Sequence, residues 1–187
     1  MRVQGAPMAV DELLPPLLRD RKYYEQSGGG VTLSGGEPCL QQEACIELLQ
    51  QLRSRHIHTA VETSGYCDEK TFADIAENCD LLLFDVKHMD AQKHWAGCGV
   101  DNERILRNLE IGAGVCEVCV RVPLITGFND GRENLSKTAQ FARRLHVKRI
   151  DVLPFHRLGA AKYAALDKPY EYAGAPAMDS RHAQSCA

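Results

Sequence analysis

Aromatic residues are scarce, 6% of the chain with a single tryptophan, so a core must be assembled mainly from aliphatic side chains. No apolar run approaches the length of a bilayer span. The formal net charge of -3 lacks the basic excess that nucleic acid or an anionic membrane surface attracts. The segment from Met1 to Leu14 has neither the basic start nor the apolar middle of a secretory signal, so the expected location is cytoplasmic. No Gly-x-Ser-x-Gly pattern occurs, which argues against an enzyme built on a nucleophile elbow.

What is present is an ordinary soluble balance, 44% hydrophobic and 25% charged over 187 residues, enough for one sizeable domain. The eight cysteines, Cys39, Cys45, Cys67, Cys79, Cys98, Cys116, Cys119 and Cys186, are scattered and read as free thiols, mostly small buried hydrophobes. Cys116 and Cys119 have the spacing of half a metal site. They fall at the start of a strand, however, where positions i and i+3 face opposite ways and their sulfurs diverge.

The dominant pattern is strand then helix, repeated. Val31–Leu33, Ile57–Val61, Leu81–Phe84, Val118–Leu124 and Ile150–Leu153 read as five strands. Between them run helical periods from about Gln41 to Arg53, through Phe72, Ile75 and Ala76 after an Asp68 cap, through Ile105, Leu106 and Leu109, and from Leu135 to Leu145. Leu81–Phe84 is wholly apolar, which suits a strand covered on both faces. The alternation predicts an α/β fold with a parallel sheet, as a barrel or an open doubly wound sheet. Asp11–Glu25 has helical composition, but Pro15 and Pro16 interrupt it unless they sit in a first turn. Tyr170–Ala187 has no period and is expected to be poorly ordered.

Each strand delivers polar or glycine-containing groups to one rim: Ser34, Gly35, Gly36 and Glu37; Glu62, Thr63 and Ser64; Asp85, Val86 and Lys87; Arg121 and Pro123; Pro154 and His156. In parallel α/β sheets ligands bind at the carboxyl ends of the strands, so a small-molecule site is expected there. Gly35 and Gly36 permit close backbone approach. Glu37 and Asp85 accept from an ammonium or from ribose hydroxyls, Lys87 and Arg121 pair with a carboxylate, and His156 donates or accepts near neutral pH. An amino acid joined to a nucleoside satisfies that set. The simpler reading is a tight turn at Gly35-Gly36 and an ion pair between Asp85 and Lys87.

The segment Gly28-Gly29-Gly30-Val31-Thr32-Leu33-Ser34-Gly35-Gly36-Glu37-Pro38 resembles the signature of glycyl-radical-enzyme activating enzymes of the radical-SAM superfamily, the pyruvate formate-lyase activating type. Glu62-Thr63-Ser64-Gly65, Asp85-Val86-Lys87, Arg121-Val122-Pro123-Leu124-Ile125 and Leu153-Pro154-Phe155-His156 follow in that family's order. The resemblance runs from about Met8 to Tyr172 and implies a partial (β/α) barrel. It also implies a [4Fe-4S] cluster that holds S-adenosylmethionine (SAM) and cleaves it reductively, so that a glycyl radical forms on a partner enzyme. A reductant such as flavodoxin would supply the electron. By the matching positions Gly35, Gly36, Glu37, Asp85, Val86, Lys87, Arg121 and His156 would bind SAM, with Gly36 and Val86 using backbone. Glu62, Thr63, Leu83 and Asp85 fall where such enzymes bind a monovalent cation, with Glu62 in place of the expected Asp.

The family's Cys-x3-Cys-x2-Cys cluster motif, which precedes the GGEP block, is absent from this sequence. The expectation is therefore a truncated barrel over residues 1–172 with its first strand missing, an irregular tail over 173–187, an inactive isolated chain, and self-association through an exposed sheet edge. Two other readings are a non-catalytic module that binds SAM or a nucleotide or docks a partner, and a non-radical α/β enzyme using Asp85, Lys87 and His156 as acid and base.

Overall fold

The prolines decide the first element. In the computed structural model, which describes residues 5–155, 160–165 and 167–174, α1 spans Val10–Leu18 and holds Pro15 and Pro16 in its interior, not in its first turn. A proline there cannot donate to the carbonyl four residues back. The deprived carbonyls belong to Asp11 and Glu12, on exposed residues where water can serve them. The helix ends at Arg19, and α2 (Arg21–Ser27) is a separate helix that stops on Gly28 in the left-handed conformation.

The alternation follows: β1 (Gly30–Leu33), a 3-10 turn (Pro38–Gln41), α3 (Gln42–Arg53), β2 (His58–Thr63), α4 (Glu69–Ala76), β3 (Leu81–Asp85), α5 (Ala91–Cys98), α6 (Glu103–Val115), β4 (Glu117–Leu124), α7 (Arg132–Arg144), β5 (Arg149–Pro154) and the short α8 (Ala160–Ala165). Asp68 caps α4 as its sequence position suggests, accepting from the Thr71 amide at 2.9 Å. The Asp90-capped α5 goes unseen in the hydrophobic pattern. Its largest apolar side chain, Trp95, is 64% exposed, and the residue it buries is His94, whose Nδ1 meets the Val100 carbonyl at 2.7 Å.

All five strands are parallel and lie in chain order, β1-β2-β3-β4-β5. Sequential order is that of a partial barrel; a doubly wound sheet reverses direction at a switch point. One face carries Leu82, Phe84, Val118, Val120, Val122 and Leu124, all buried, packed with Leu49 of α3, Phe72 and Ile75 of α4, Leu109 of α6 and Ala142 of α7. Phe72 meets Phe84 edge to face at 5.7 Å. A second cluster seats Val10 and Leu14 of α1 against Val31, Leu48, Leu52 and Ile57.

The other face is different. Leu81 and Leu83 are only half-buried, so β3 is covered fully on one side and not on both. Beside Leu83 that face carries Glu62, Asp85, Arg121 and Asp151. Residues beyond Leu166 are not all irregular: Tyr172 packs against Phe128 at 6.0 Å and Phe155 at 6.4 Å. Tyr170 stacks on Tyr163 at 4.7 Å.

Candidate active site at the strand ends

β2 runs two residues further than its apolar core suggests, which makes Glu62 and Thr63 strand residues that face opposite ways. Thr63 turns to the helix side and Glu62 to the open face. The Glu62 carboxylate spans the sheet, accepting from the Ser34 hydroxyl after β1 at 2.8 Å and from Arg121 Nη1 on β4 at 2.7 Å. Register explains the reach: Glu62 lies beside Leu83, and Arg121 beside Asp85. Asp85 takes Lys87 Nζ on Oδ2 at 2.7 Å, while its Oδ1 lies 3.9 Å from Arg121 Nε. That Oδ1 is buried and has no hydrogen-bond partner among the described residues. A carboxylate oxygen stripped of water with no donor is a costly arrangement, and one that a ligand bearing donors relieves.

Glu37 plays another part than its sequence position suggests. Its Oε1 accepts from the Thr63 hydroxyl at 2.6 Å, and its Oε2 accepts from the Ser64 amide at 3.0 Å and hydroxyl at 2.7 Å. Both oxygens are therefore engaged, and the residue staples the turn after β1 to the end of β2. Burial alone would raise its carboxyl, but the bonds from Ser64, Thr63 and Cys39 outweigh that and hold it below the ordinary carboxylate range. Ahead of the staple, Gly35 has φ +117°, a conformation side chains rarely adopt, and a Cβ at Gly35 or Gly36 would meet nothing within 4 Å. The turn is fixed at its base and open above.

The Val86 amide donates to the Arg121 carbonyl at 2.9 Å, so it is not free for a ligand. Cys39 is 5% exposed and contacts Thr63 Oγ1 at 3.7 Å on the helix side, away from the open face. His156 lies outside the described residues. The four candidate cation residues do not form one side-chain cage, because Thr63 turns away and Glu62 is taken by Ser34 and Arg121. The sulfurs of Cys116 and Cys119 diverge, the first turned to Cys79 and the second to Asp151.

The sequence reading missed the asparagines that hold the rim. Buried Asn129 donates to the carbonyls of Lys87 and Pro123, each at 2.8 Å, and accepts from the Ile125 amide at 2.7 Å. Asn108, on the apolar face of α6 between Ile105 and Leu109, donates to the carbonyls of Gly65 and Cys67. A polar residue on a buried helical face must find partners, and that is the signal that marks it.

The chain matches the model described as "Radical SAM superfamily" over residues 11–142. It belongs to the radical SAM superfamily. It is similar to the choline trimethylamine-lyase activating enzyme of Oleidesulfovibrio alaskensis, 39% identical over all of this chain and 63% of that protein. It is also similar to the 4-hydroxyphenylacetate decarboxylase activating enzyme of Clostridioides difficile, 41% identical over 94% of this chain and 56% of the other. The chain thus spans less than two thirds of the length of these curated relatives. Among solved structures, a domain of pyruvate-formate lyase-activating enzyme from Bacteroides vulgatus is 32% identical with a TM-score of 0.67, covering 84% of this chain and 90% of that one. A SAM-bound structure of Streptococcus suis SuiB aligns with a TM-score of 0.70 at 16% identity, covering 98% of this chain and 41% of that one, a likeness of fold alone.

The superfamily implies SAM and a [4Fe-4S] cluster. The open face fits the first: the orphaned Asp85 Oδ1 wants a hydroxyl or ammonium, and the Gly35-Gly36 turn leaves room above it. The second does not fit, since among the described residues no three His, Cys, Asp or Glu side chains gather to hold a metal. Among the described residues no helix is long and apolar enough to cross a membrane.

Proposed function

We propose that this chain is the SAM-binding body of an enzyme that activates a glycyl-radical enzyme. The observation that carries the reading is the buried Oδ1 of Asp85 on the open face of a radical-SAM sheet, which has no hydrogen-bond partner among the described residues. Bound SAM would supply, once an electron from a cluster held outside the described residues cleaved it, the radical that such enzymes use to take hydrogen from a glycine of their partner. The chain's own residues bind and orient. Asp85 accepts from ribose hydroxyls or the amino group. Lys87 and Arg121 answer the methionine carboxylate. Both are held by carboxylates in the structure, at 2.7 Å to Asp85 and Glu62, so a ligand carboxylate takes either cation by exchange. Glu37 positions the glycine turn, and His156, by its place in the family's Leu-Pro-Phe-His block, packs on or bonds to the nucleoside.

The partner is a glycyl-radical enzyme. Pyruvate formate-lyase is the finer reading, supported by the likeness to the Bacteroides vulgatus domain. The relatives named as activating enzymes of choline trimethylamine-lyase and 4-hydroxyphenylacetate decarboxylase support the coarser one equally. Calorimetric titration of the chain with SAM tests the site. Asp85→Ala should weaken binding by about 1–3 kcal/mol, the value of one desolvated bond to a charged group. Unchanged affinity in Asp85→Ala, or no binding by the wild-type chain, overturns the assignment.

A further inference from the structure

At the end of the sheet opposite the SAM rim, two thiols meet. Leu81 and Glu117 are direct partners across β3 and β4. Cys79, two residues before the first, and Cys116, immediately before the second, therefore lie side by side at the amino ends of these strands. Their sulfurs are hydrogen-bonded to each other. Cys79 is buried, and its Sγ also reaches the Ala76 carbonyl at 3.6 Å. Cys116 closes α6 in an extended conformation and is half-buried. It stands in the wall of a cavity of about 220 Å³, with Ala113 of α6, Glu117 of β4, and Leu145, His146 and Lys148 between α7 and β5. One sulfur of the pair thus belongs to a residue open to the cavity, and the other lies behind it.

The pair is unequal in protonation as well as in exposure. The Cys116 sulfur accepts from the Cys79 thiol and from the Leu82 amide, which lowers its pKa against burial and against the carboxylates of Asp80 and Glu117. The same contact raises the pKa of Cys79, and burial raises it further. A thiolate at a cavity wall with a protonated thiol at its back is the arrangement of an attacking and a resolving cysteine. The cavity carries side chains of both signs, Glu117 beside His146 and Lys148, so it gives no preference to a charged ligand.

From the contact of the two sulfurs and the cavity that opens on one of the residues, we infer that Cys79 and Cys116 form a redox-active dithiol whose substrate is a low-molecular-weight disulfide. The Cys116 thiolate attacks one sulfur of that disulfide, its S–S bond breaks, and the first small thiolate leaves and takes a proton from water. Cys116 now carries a mixed disulfide. Capping it removes the thiolate that held the proton on Cys79, so Cys79 loses that proton to water and attacks the Cys116 sulfur. The second small thiolate leaves and is protonated in turn. The protein is oxidised by two hydrogens and holds one S–S bond, and the small disulfide is reduced to two thiols. The site lies at the other end of the strands from the SAM face, and its test does not depend on that reading.

The test is incubation of the folded chain with hydroxyethyl disulfide, which is small and uncharged, followed by acid quenching, alkylation of the remaining thiols and tryptic peptide mapping. The expected product joins residues 71–87 to residues 108–121 and has lost two hydrogens. The second peptide also carries Cys119, whose sulfur is turned to Asp151, so Cys119→Ser should leave the link in place. Cys79→Ser should halt the reaction at its first step, with the mixed disulfide trapped on Cys116. In Cys116→Ser the buried Cys79 should react at least about tenfold more slowly than Cys116 does in the wild-type chain. Cys79 and Cys116 both left reduced while the exposed Cys98 is modified, a link from Cys116 to a cysteine other than Cys79, or an unmodified Cys116 in Cys79→Ser overturns the proposal.

Discussion

Glu37 shows how much one carboxylate can organise. It gathers Thr63 Oγ1, Ser64 N and Ser64 Oγ within 3.0 Å and so ties the mouth of β1 to that of β2. Because its folded pKa lies below the ordinary value, its contribution is complete above the unfolded carboxylate range and is lost as pH falls through the folded value. Glu37→Gln keeps the shape but accepts on one oxygen only and without charge. It should lower stability near neutral pH by about 1–3 kcal/mol. Urea unfolding of both proteins from about pH 7 to about pH 3 checks this, with the two curves converging at the acid end. A gap that stays constant with pH would mean the charge contributes nothing. Asp85 is the opposite case, a carboxylate with one oxygen left over. Its substitution should weaken ligand binding while lowering stability only modestly, since it relieves the buried Oδ1 but breaks the partly exposed pair between Oδ2 and Lys87 at 2.7 Å. Circular dichroism melts of Asp85→Ala beside the SAM titration separate the two effects.

At the scale of elements, the loops are held by side chains more than by backbone. Asn129 joins the segment after β3 to the segment after β4 through Lys87 O, Pro123 O and Ile125 N. Asn129→Ala leaves one amide and two carbonyls unanswered in a buried place. The expected loss is roughly 3 kcal/mol or more, read by urea unfolding, with faster hydrogen exchange confined to the loops on either side. A loss under about 1 kcal/mol would mean that water replaces the side chain without difficulty. These braces also explain what the sequence hid. Strands such as Leu81–Asp85 are legible because their apolar side chains repeat, and the glycine turn because Gly35 and Gly36 stand together. Helix α5 escaped because it buries a histidine and exposes its tryptophan. The site's candidates Asp85, Lys87 and Arg121 were legible as polar residues at strand ends, and they do meet. That Glu62 would reach across β3 to Arg121, and that Glu37 would turn inward to Thr63, depends on parallel register, which no single segment encodes.

For the molecule as a whole, sequential strand order leaves two edges among the described residues, one at β1 and one at β5. β1 pairs on one side with β2 through Gly30, Val31, Thr32 and Leu33, and among the described residues no strand lies on its other side. An open parallel edge presents unpaired amides and carbonyls to any extended segment. Its protection is its length, only four residues, since its exposed side chain, Thr32, is uncharged. With a net charge of only -3, long-range repulsion between copies is weak at physiological salt. The chain should therefore associate as its concentration rises, with copies meeting at β1. Thr32→Lys places a charge on that strand, where pairing would have to bury it, and should shift the association to higher concentration while leaving the melting temperature nearly unchanged. Light scattering across a concentration series on both proteins decides it. Association in the wild-type chain that Thr32→Lys suppresses locates the contact at β1, whereas a monodisperse wild-type monomer at the highest concentration, or equal association in both, removes that edge from the account.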